Sequence, residues 1–183
     1  IRSDSDLHTF GYRFKPWTGK PIAKAAEIRD YMNEVIEENG LGPRIRYRHR
    51  IHTALWSSQE NRWTLEGSRS DTGEPIRFSA NFLWMCQGYY RHQEGYTPEW
   101  PGMADFKGRI VHPQTWPADL DYAGKQVVVI GSGATAATLI PSIADDCAQV
   151  TMLQRSPTYF IPARNANALA ETLRELQIDE TWV

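Results

Sequence analysis

The run Gln126-Val127-Val128-Val129-Ile130 leads directly into Gly131-Ser132-Gly133-Ala134-Thr135-Ala136. Glycines at the first and third positions and a small residue at the sixth form a turn that can seat a pyrophosphate. The first glycine permits the tight turn, the second lets the backbone approach the phosphates, and the alanine lets a helix pack on the strand. A helix opening at the turn adds unpaired N–H groups and a partial positive charge. The pattern alone is weak, but its context is the confirming one: a β-branched strand before it, a helical stretch from about Ala134 to Asp145, and a second strand at Val150–Gln154. Gly131, Ser132, Gly133, Ala134 and Thr135 are therefore the candidate nucleotide contacts; the plainer alternative is a glycine turn without a ligand.

The exit of the second strand selects among nucleotides. A cofactor with a free ribose 2′-hydroxyl would meet an Asp or Glu there. Here Thr151-Met152-Leu153-Gln154 runs into Arg155-Ser156, with no acid. A guanidinium suits a 2′-phosphate, and Ser156 can add a hydroxyl. This favours NADPH over NADH, against the alternative of an ordinary surface arginine. The second spacing of interest lies upstream, in Phe106-x-Gly108-x-x-x-His112-x-x-x-Trp116-Pro117.

Several elements must position these residues. Apolar residues recurring from Ile22 to Ile36 at three-to-four spacing predict a helix over Pro21–Asn39, stopped by Asn39-Gly40. Ile45–Trp56, Arg62–Glu66 and Ile76–Ala80 read as an antiparallel meander with polar turns between them. Phe82–Cys86 and Gln126–Ile130 are apolar throughout, the pattern of strands covered on both faces. Residues 92–105, rich in Pro and Gly, read as a surface connection and place a boundary between a part spanning 1–105 and a part spanning 106–183. Pro141 falls inside the helix after the turn and should kink it near Ala137. Ala166–Leu176 reads as a further helix, and Ile1–Pro16 as polar and irregular.

Composition narrows the function classes. A net charge of −2 argues against a nucleic-acid partner. Arg44, Arg46, Arg48 and Arg50 alternate in a way that would share one strand face, but a solvated face is the better reading. No apolar run approaches membrane-spanning length. Cys86 and Cys147 are too far apart for a redox pair and read as reduced thiols in a cytoplasmic protein. No metal site is indicated.

The 106–117 fingerprint, followed by the glycine turn, resembles that of the Baeyer–Villiger monooxygenases, in the subgroup that includes the ethionamide-activating enzyme. The resemblance extends over IRSDSDLHTFGYRFKPWTGKP at the start and VTMLQRSPTY after the turn. It implies an α/β fold of two Rossmann-like, three-layer dinucleotide-binding domains, each partly present here, with a small antiparallel meander. It also implies FAD and NADP(H) as cofactors, O2 as co-substrate, and a ketone or sulfide as the small-molecule substrate. In that family NADP⁺ stays bound and shields the reactive oxygen adduct from water. Related N- and S-oxygenating enzymes usually carry Tyr in place of Trp116.

Carried over by resemblance, Ser3 and Asp4 run beside the flavin, with Asp4 orienting an active-site arginine. Ile51 meets the FAD adenine through its backbone, and Gly88 ends the strand passing the flavin nucleotide. His112 is the fingerprint residue that relays between the cofactor sites, with Phe106 and Trp116 anchoring the linker. Plainer alternatives are a loop or cap role for Asp4 and a hydrogen bond to a backbone carbonyl for His112. The family's first glycine turn and its active-site arginine have no counterpart in these residues. The chain is thus expected to be an internal piece: the later part of the FAD domain (1–105) and the first part of the NADPH domain (106–183), completed by remaining segments of a parent protein and inactive alone. The competing readings are an N- or S-oxygenating flavin monooxygenase and a non-catalytic NADP-binding module.

Overall fold

The computed structural model describes residues 2–182, apart from the side chain of Thr181. The chain divides into two compact units, one formed by Ile1–Val35 with Thr97–Val183 and the other by Ile36–Tyr96. The architecture is α/β, with a three-stranded antiparallel sheet and a separate two-stranded parallel sheet.

In the first unit, the segment that reads as irregular in sequence is ordered around aromatic residues. A short helix α1 (Leu7–Phe10) is capped by Asp6, whose carboxylate accepts from the His8 backbone N–H. Tyr31, on helix α2 (Ala25–Glu38), donates its hydroxyl to the Lys15 carbonyl at 2.6 Å and accepts from the Tyr12 N–H at 2.8 Å. Trp17 meets the Tyr31 ring edge-on at 5.4 Å and donates its indole N–H to the Lys20 carbonyl at 2.9 Å. With Leu7, Ala23 and Val35 these aromatics are buried. Polar groups satisfied inside an apolar cluster specify one arrangement of the chain, which is why a polar-looking stretch orders here. Helix α2 begins four residues later than its apolar period suggests, because Glu27 accepts from the Lys24 N–H and fixes the start there.

The meander is present. Strands β1 (His49–Ser57), β2 (Arg62–Arg69) and β3 (Pro75–Ala80) pair antiparallel in chain order. Trp56 and Trp63 pair across β1 and β2 at 5.5 Å. The β2–β3 turn is held by Asp71, which accepts from Arg69 at 2.7 and 3.0 Å and from Arg48 at 3.3 Å. The Arg69 guanidinium is the main reason that the Asp71 carboxyl stays well below the usual carboxylate range. The four alternating arginines do not share a strand face. Gly42–Arg44 is a 3-10 turn, Arg48 takes φ 60°, and β1 starts only at His49. Arg46 instead sits over the Phe78 ring at 5.2 Å.

Phe82–Cys86 is not a strand. It runs as irregular chain with Phe82 75% and Trp84 79% exposed, and Cys86 is exposed too. An apolar run becomes a strand only where neighbours take its hydrogen bonds and cover its faces, and no described strand pairs with it.

In the first unit, strand β4 (Gln126–Ile130) and strand β5 (Gln149–Leu153) pair parallel in register, joined by helix α3 (Ala134–Ile143). This is the anticipated β-α-β unit. Strand β4 is not buried on both faces: Val127 and Val129 are half-buried while Val128 and Ile130 are exposed. One helix covers one face, and period-two alternation leaves the other open. Helix α3 runs through Pro141 and ends at Ile143, short of the anticipated Asp145. Helix α4 (Ala168–Glu175) follows. Among the described residues no helix is long and apolar enough to cross a membrane.

The meander depends on one close backbone approach. The β1–β2 register shifts between Ile51 and Thr53, so His52 is an extra residue, and the bend brings the Arg50 carbonyl against Gly67. A Cβ at 67 would lie 2.0 Å from that oxygen. Gly67→Ala is expected to destabilise the protein by about 1–3 kcal/mol, read as a lower melting temperature; an unchanged melting temperature would refute the crowding.

Candidate functional site

The glycine turn is built as its sequence requires. Strand β4 ends at Ile130, and Gly131 takes φ 115°, in the region open to glycine. Its N–H donates to the Leu153 carbonyl at 2.8 Å, locking the turn to the end of β5. Gly133 is the extended N-cap of α3 and supplies no side-chain cap. The first N–H groups of α3 thus have no intrahelical partner and are free to meet an anion. Ala136 is buried, which allows α3 to pack on β4. A Cβ built at Gly131 or Gly133 would meet nothing within 4 Å, so the face of the turn is open.

The loop leaving β5 returns to this turn. Ser132 Oγ and Thr158 Oγ1 lie 2.7 Å apart, joining the turn to a residue three positions beyond Arg155. Arg155 and Ser156 form the bend between, both exposed. Gly131, Ser132, Gly133, Ala134 and Thr135 are therefore together at one end of the parallel pair, and the loop bearing Arg155 and Ser156 is tied to them. The residues fit a dinucleotide phosphate, with N–H donors and no carboxylate among them.

The fingerprint residues have physical reasons for their spacing. The Phe106 ring lies over Gly108, where a Cβ would come 2.4 Å from the ring. His112 is the N-cap of the 3-10 turn Pro113–Thr115, and its Nδ1 accepts from the Gln114 N–H at 3.2 Å. Its carbonyl takes the Thr115 N–H at 3.0 Å. In the neutral ring this leaves the proton on Nε2. Trp116 packs edge-on against Tyr122 at 5.9 Å. His112 thus shapes a turn through Nδ1 and keeps Nε2 for a second partner.

The flavin-side candidates fall in both units. Ser3 is held to the strip before α2: its N–H donates to the Ala23 carbonyl at 2.8 Å and its Oγ accepts from the Ala23 N–H at 3.1 Å. Asp4 is exposed and accepts from Ser5 Oγ at 3.3 Å. In the other unit, Ile51 is 41% exposed at the β1 bulge, and Gly88 takes φ 69° in an irregular, exposed stretch. No described group of three or more His, Cys, Asp or Glu could hold a metal.

Sequence reading passed over a polar cluster beside Ser3. Asp6 faces both the His8 ring and Asn167, and Arg174 reaches His8, Trp17 and Glu180. Burial pushes the Asp6 carboxyl up, but hydrogen bonds from His8 and Asn167 outweigh it and hold it below the ordinary value. Nothing in the spacing of residues 6, 8, 167 and 174 could have revealed a cluster joined across so much chain.

The flavin-binding monooxygenase-like family profile matches residues 22–168. The FAD-containing monooxygenase EthA of Mycolicibacterium smegmatis is 57% identical over 162 residues, covering 87% of this chain and 32% of its own. EthA of Mycobacterium tuberculosis (strain ATCC 25618 / H37Rv) is 48% identical over 94% of this chain and 35% of its own. The chain therefore spans about a third of the length of these relatives. Among solved structures, an oxidised steroid monooxygenase bound to NADP superposes with a TM-score of 0.74 at 31% identity, over 97% of this chain and 34% of that one. Cyclohexanone monooxygenase bound to ε-caprolactone gives 0.77 at 27% identity, over 100% and 36%. With the strand–turn–helix geometry, these matches place the chain in the flavin-binding monooxygenase-like family.

Proposed function

We propose that this chain is part of an FAD- and NADPH-dependent monooxygenase that inserts one atom of O2 into a ketone, giving an ester or lactone. The observation that carries the reading is the open glycine turn at the head of α3, tied to a β5 exit that bears Arg155-Ser156 and no acid. The likeness to FAD-containing monooxygenases and to a steroid monooxygenase bound to NADP supports it. Trp116, in place of the Tyr usual in N- and S-oxygenating relatives, supports the ketone branch. Residues 1–105 are assigned to the flavin part and 106–183 to the NADPH part; this division follows cofactors, not the contact-based units above.

When bound, the two cofactors supply the redox chemistry: hydride from the nicotinamide and oxygen activation at the flavin. The chain's own residues bind and orient. The N–H groups from Ser132 to Thr135 hold the pyrophosphate against the positive end of α3. Arg155 grips the 2′-phosphate, with Ser156 beside it. Ser3 and Asp4 line the flavin, Asp4 holding a cationic side chain supplied by the parent protein. Ile51 and Gly88 approach the flavin nucleotide through their backbones. His112, fixed by its Nδ1 bond, offers Nε2–H toward the cofactors. Seating both cofactors closely keeps water from the reacting oxygen.

Two variants of the full-length protein test this reading. Arg155→Ala removes a charge-assisted contact of about 1.5–3 kcal/mol. It should raise the KM for NADPH about 10- to 100-fold while leaving NADH use unchanged; equal loss with both nucleotides would sink the 2′-phosphate assignment. Gly131→Ala forces a side chain into a backbone region costing about 1–3 kcal/mol and should weaken NADPH binding in titration calorimetry. Product analysis with cyclohexanone decides the branch: lactone is expected, and oxidation confined to sulfides would move the protein to the sulfur-oxygenating branch.

A further inference from the structure

Two stretches of the first unit, far apart in sequence, are laced by side chains that the nucleotide site does not use. Asn165 pairs reciprocally with the backbone of Ile22: its Oδ1 accepts from the Ile22 N–H at 2.8 Å, and its Nδ2 donates to the Ile22 carbonyl at 2.9 Å. Asn167 donates from Nδ2 to Asp6 Oδ2 at 2.7 Å, while its Oδ1 caps α4 through the Ala170 N–H at 3.0 Å. Arg174 donates from Nη2 to the Trp17 carbonyl at 3.2 Å, and Glu180 holds the guanidinium at 2.8 and 3.1 Å. Nη1 lies 3.5 Å from His8 Nε2, whose Nδ1 is 2.9 Å from Asp6. The His8 side chain is only 6% exposed, while Asp6, Arg174 and Glu180 around it keep part of their surface in water.

The strip so held carries Ser3 and Asp4. Ile22, taken by Asn165, adjoins Ala23, which pairs with Ser3; Asp6, taken by Asn167, lies two residues beyond Asp4. The 165–180 stretch follows the β5 exit in the chain and belongs to the same compact unit. We propose that Asn165, Asn167 and Arg174 are positioning residues that clasp the flavin-lining strip to the part of the chain that seats NADPH, setting the approach of nicotinamide to flavin. This rests on the functional reading above.

The clasp is separable from the fold on either side of it. Helix α4 keeps its cap through Asn167 Oδ1, and the strip keeps its packing through Trp17 and Tyr31. Side-chain amides on backbone groups are directional, so they fix register where apolar packing alone would allow sliding. A misplacement of about 1 Å in a transfer geometry can cost on the order of 100-fold in rate.

Asn167→Asp in the full-length protein is the sharpest variant. An aspartate still caps α4, but it sets a second carboxylate against Asp6, beside His8 and near Arg174 and Glu180. With FAD, NADPH and cyclohexanone, FAD content and the KM for NADPH should stay within twofold of wild type. Flavin reduction in stopped flow should slow tenfold or more, and a larger share of NADPH should be oxidised without lactone. Arg174→Lys, which keeps the charge but not the fork, should fall between. Wild-type reduction rate and coupling in Asn167→Asp would overturn the proposal. If that variant does not fold, Asn165→Ser, which breaks only the Ile22 pair, is read the same way, and wild-type behaviour there overturns it equally. A wild-type protein that binds no flavin would instead overturn the functional reading, and this proposal with it.

Discussion

The Gly131 backbone opens a turn that must take the chain from strand into helix within three residues, and the rest of the site hangs on that turn. Its φ of 115° points the end of β4 into α3, and its N–H, bonded to the Leu153 carbonyl, ties the turn to the end of β5. One hydrogen bond thereby couples the place where a pyrophosphate would sit to the place where Arg155 leaves the sheet. The Ser132–Thr158 contact adds a second tie beyond Arg155. The loop bearing Arg155 is held at both ends, by the strand and by the turn, which leaves a long side chain to adjust while its backbone stays.

The same economy appears in the linker. Phe106, Gly108, His112 and Trp116 are spaced as they are because the ring needs a flat glycine beneath it, the histidine closes a short turn, and the tryptophan finds Tyr122. None of these contacts requires a cofactor, so a structural account explains most of the fingerprint. What it does not use is His112 Nε2. A histidine whose Nδ1 is committed to a backbone N–H has its tautomer chosen for it, and its remaining N–H has a fixed direction. The ring is held by a backbone N–H, not by the backbone carbonyl of the plainer reading, which leaves Nε2 for the proposed relay role.

How much of this could be read in the residues depended on the range of the interactions. The β-α-β unit, the meander and the glycine turn were legible because strand periodicity, turn composition and the G-x-G-x-x-A spacing are local. The errors came where burial was inferred from apolarity. Phe82–Cys86 has the composition of a covered strand, yet hydrogen-bond partners are supplied by other segments, and no described strand supplies them. Val128 and Ile130 lie in a paired strand and are exposed because one helix covers one face only. The opposite error was made at residues 6–17, where polar and aromatic residues looked irregular but satisfy one another around Tyr31. The Asp6–Asn167 bond joins residues 161 positions apart, so no local pattern could disclose it.

Steric space separates what the fold demands from what is left for a ligand. At Gly67 and Gly108 the chain itself occupies the position a side chain would take, with a carbonyl oxygen at 2.0 Å in one case and an aromatic ring at 2.4 Å in the other. Those residues are explained without any partner. Gly133 differs: it is an extended N-cap with ordinary φ of −80°, and nothing of this chain lies within 4 Å of its missing Cβ. Neither strain nor crowding accounts for a bare backbone at that point. The phosphate of the proposed function would, because its oxygens would come within hydrogen-bond reach of the N–H groups opening α3, where a methyl group at 133 would stand in their way. The unfilled volume sits at the opening of α3, where the partial positive charge of the helix would favour the phosphate of the proposed function.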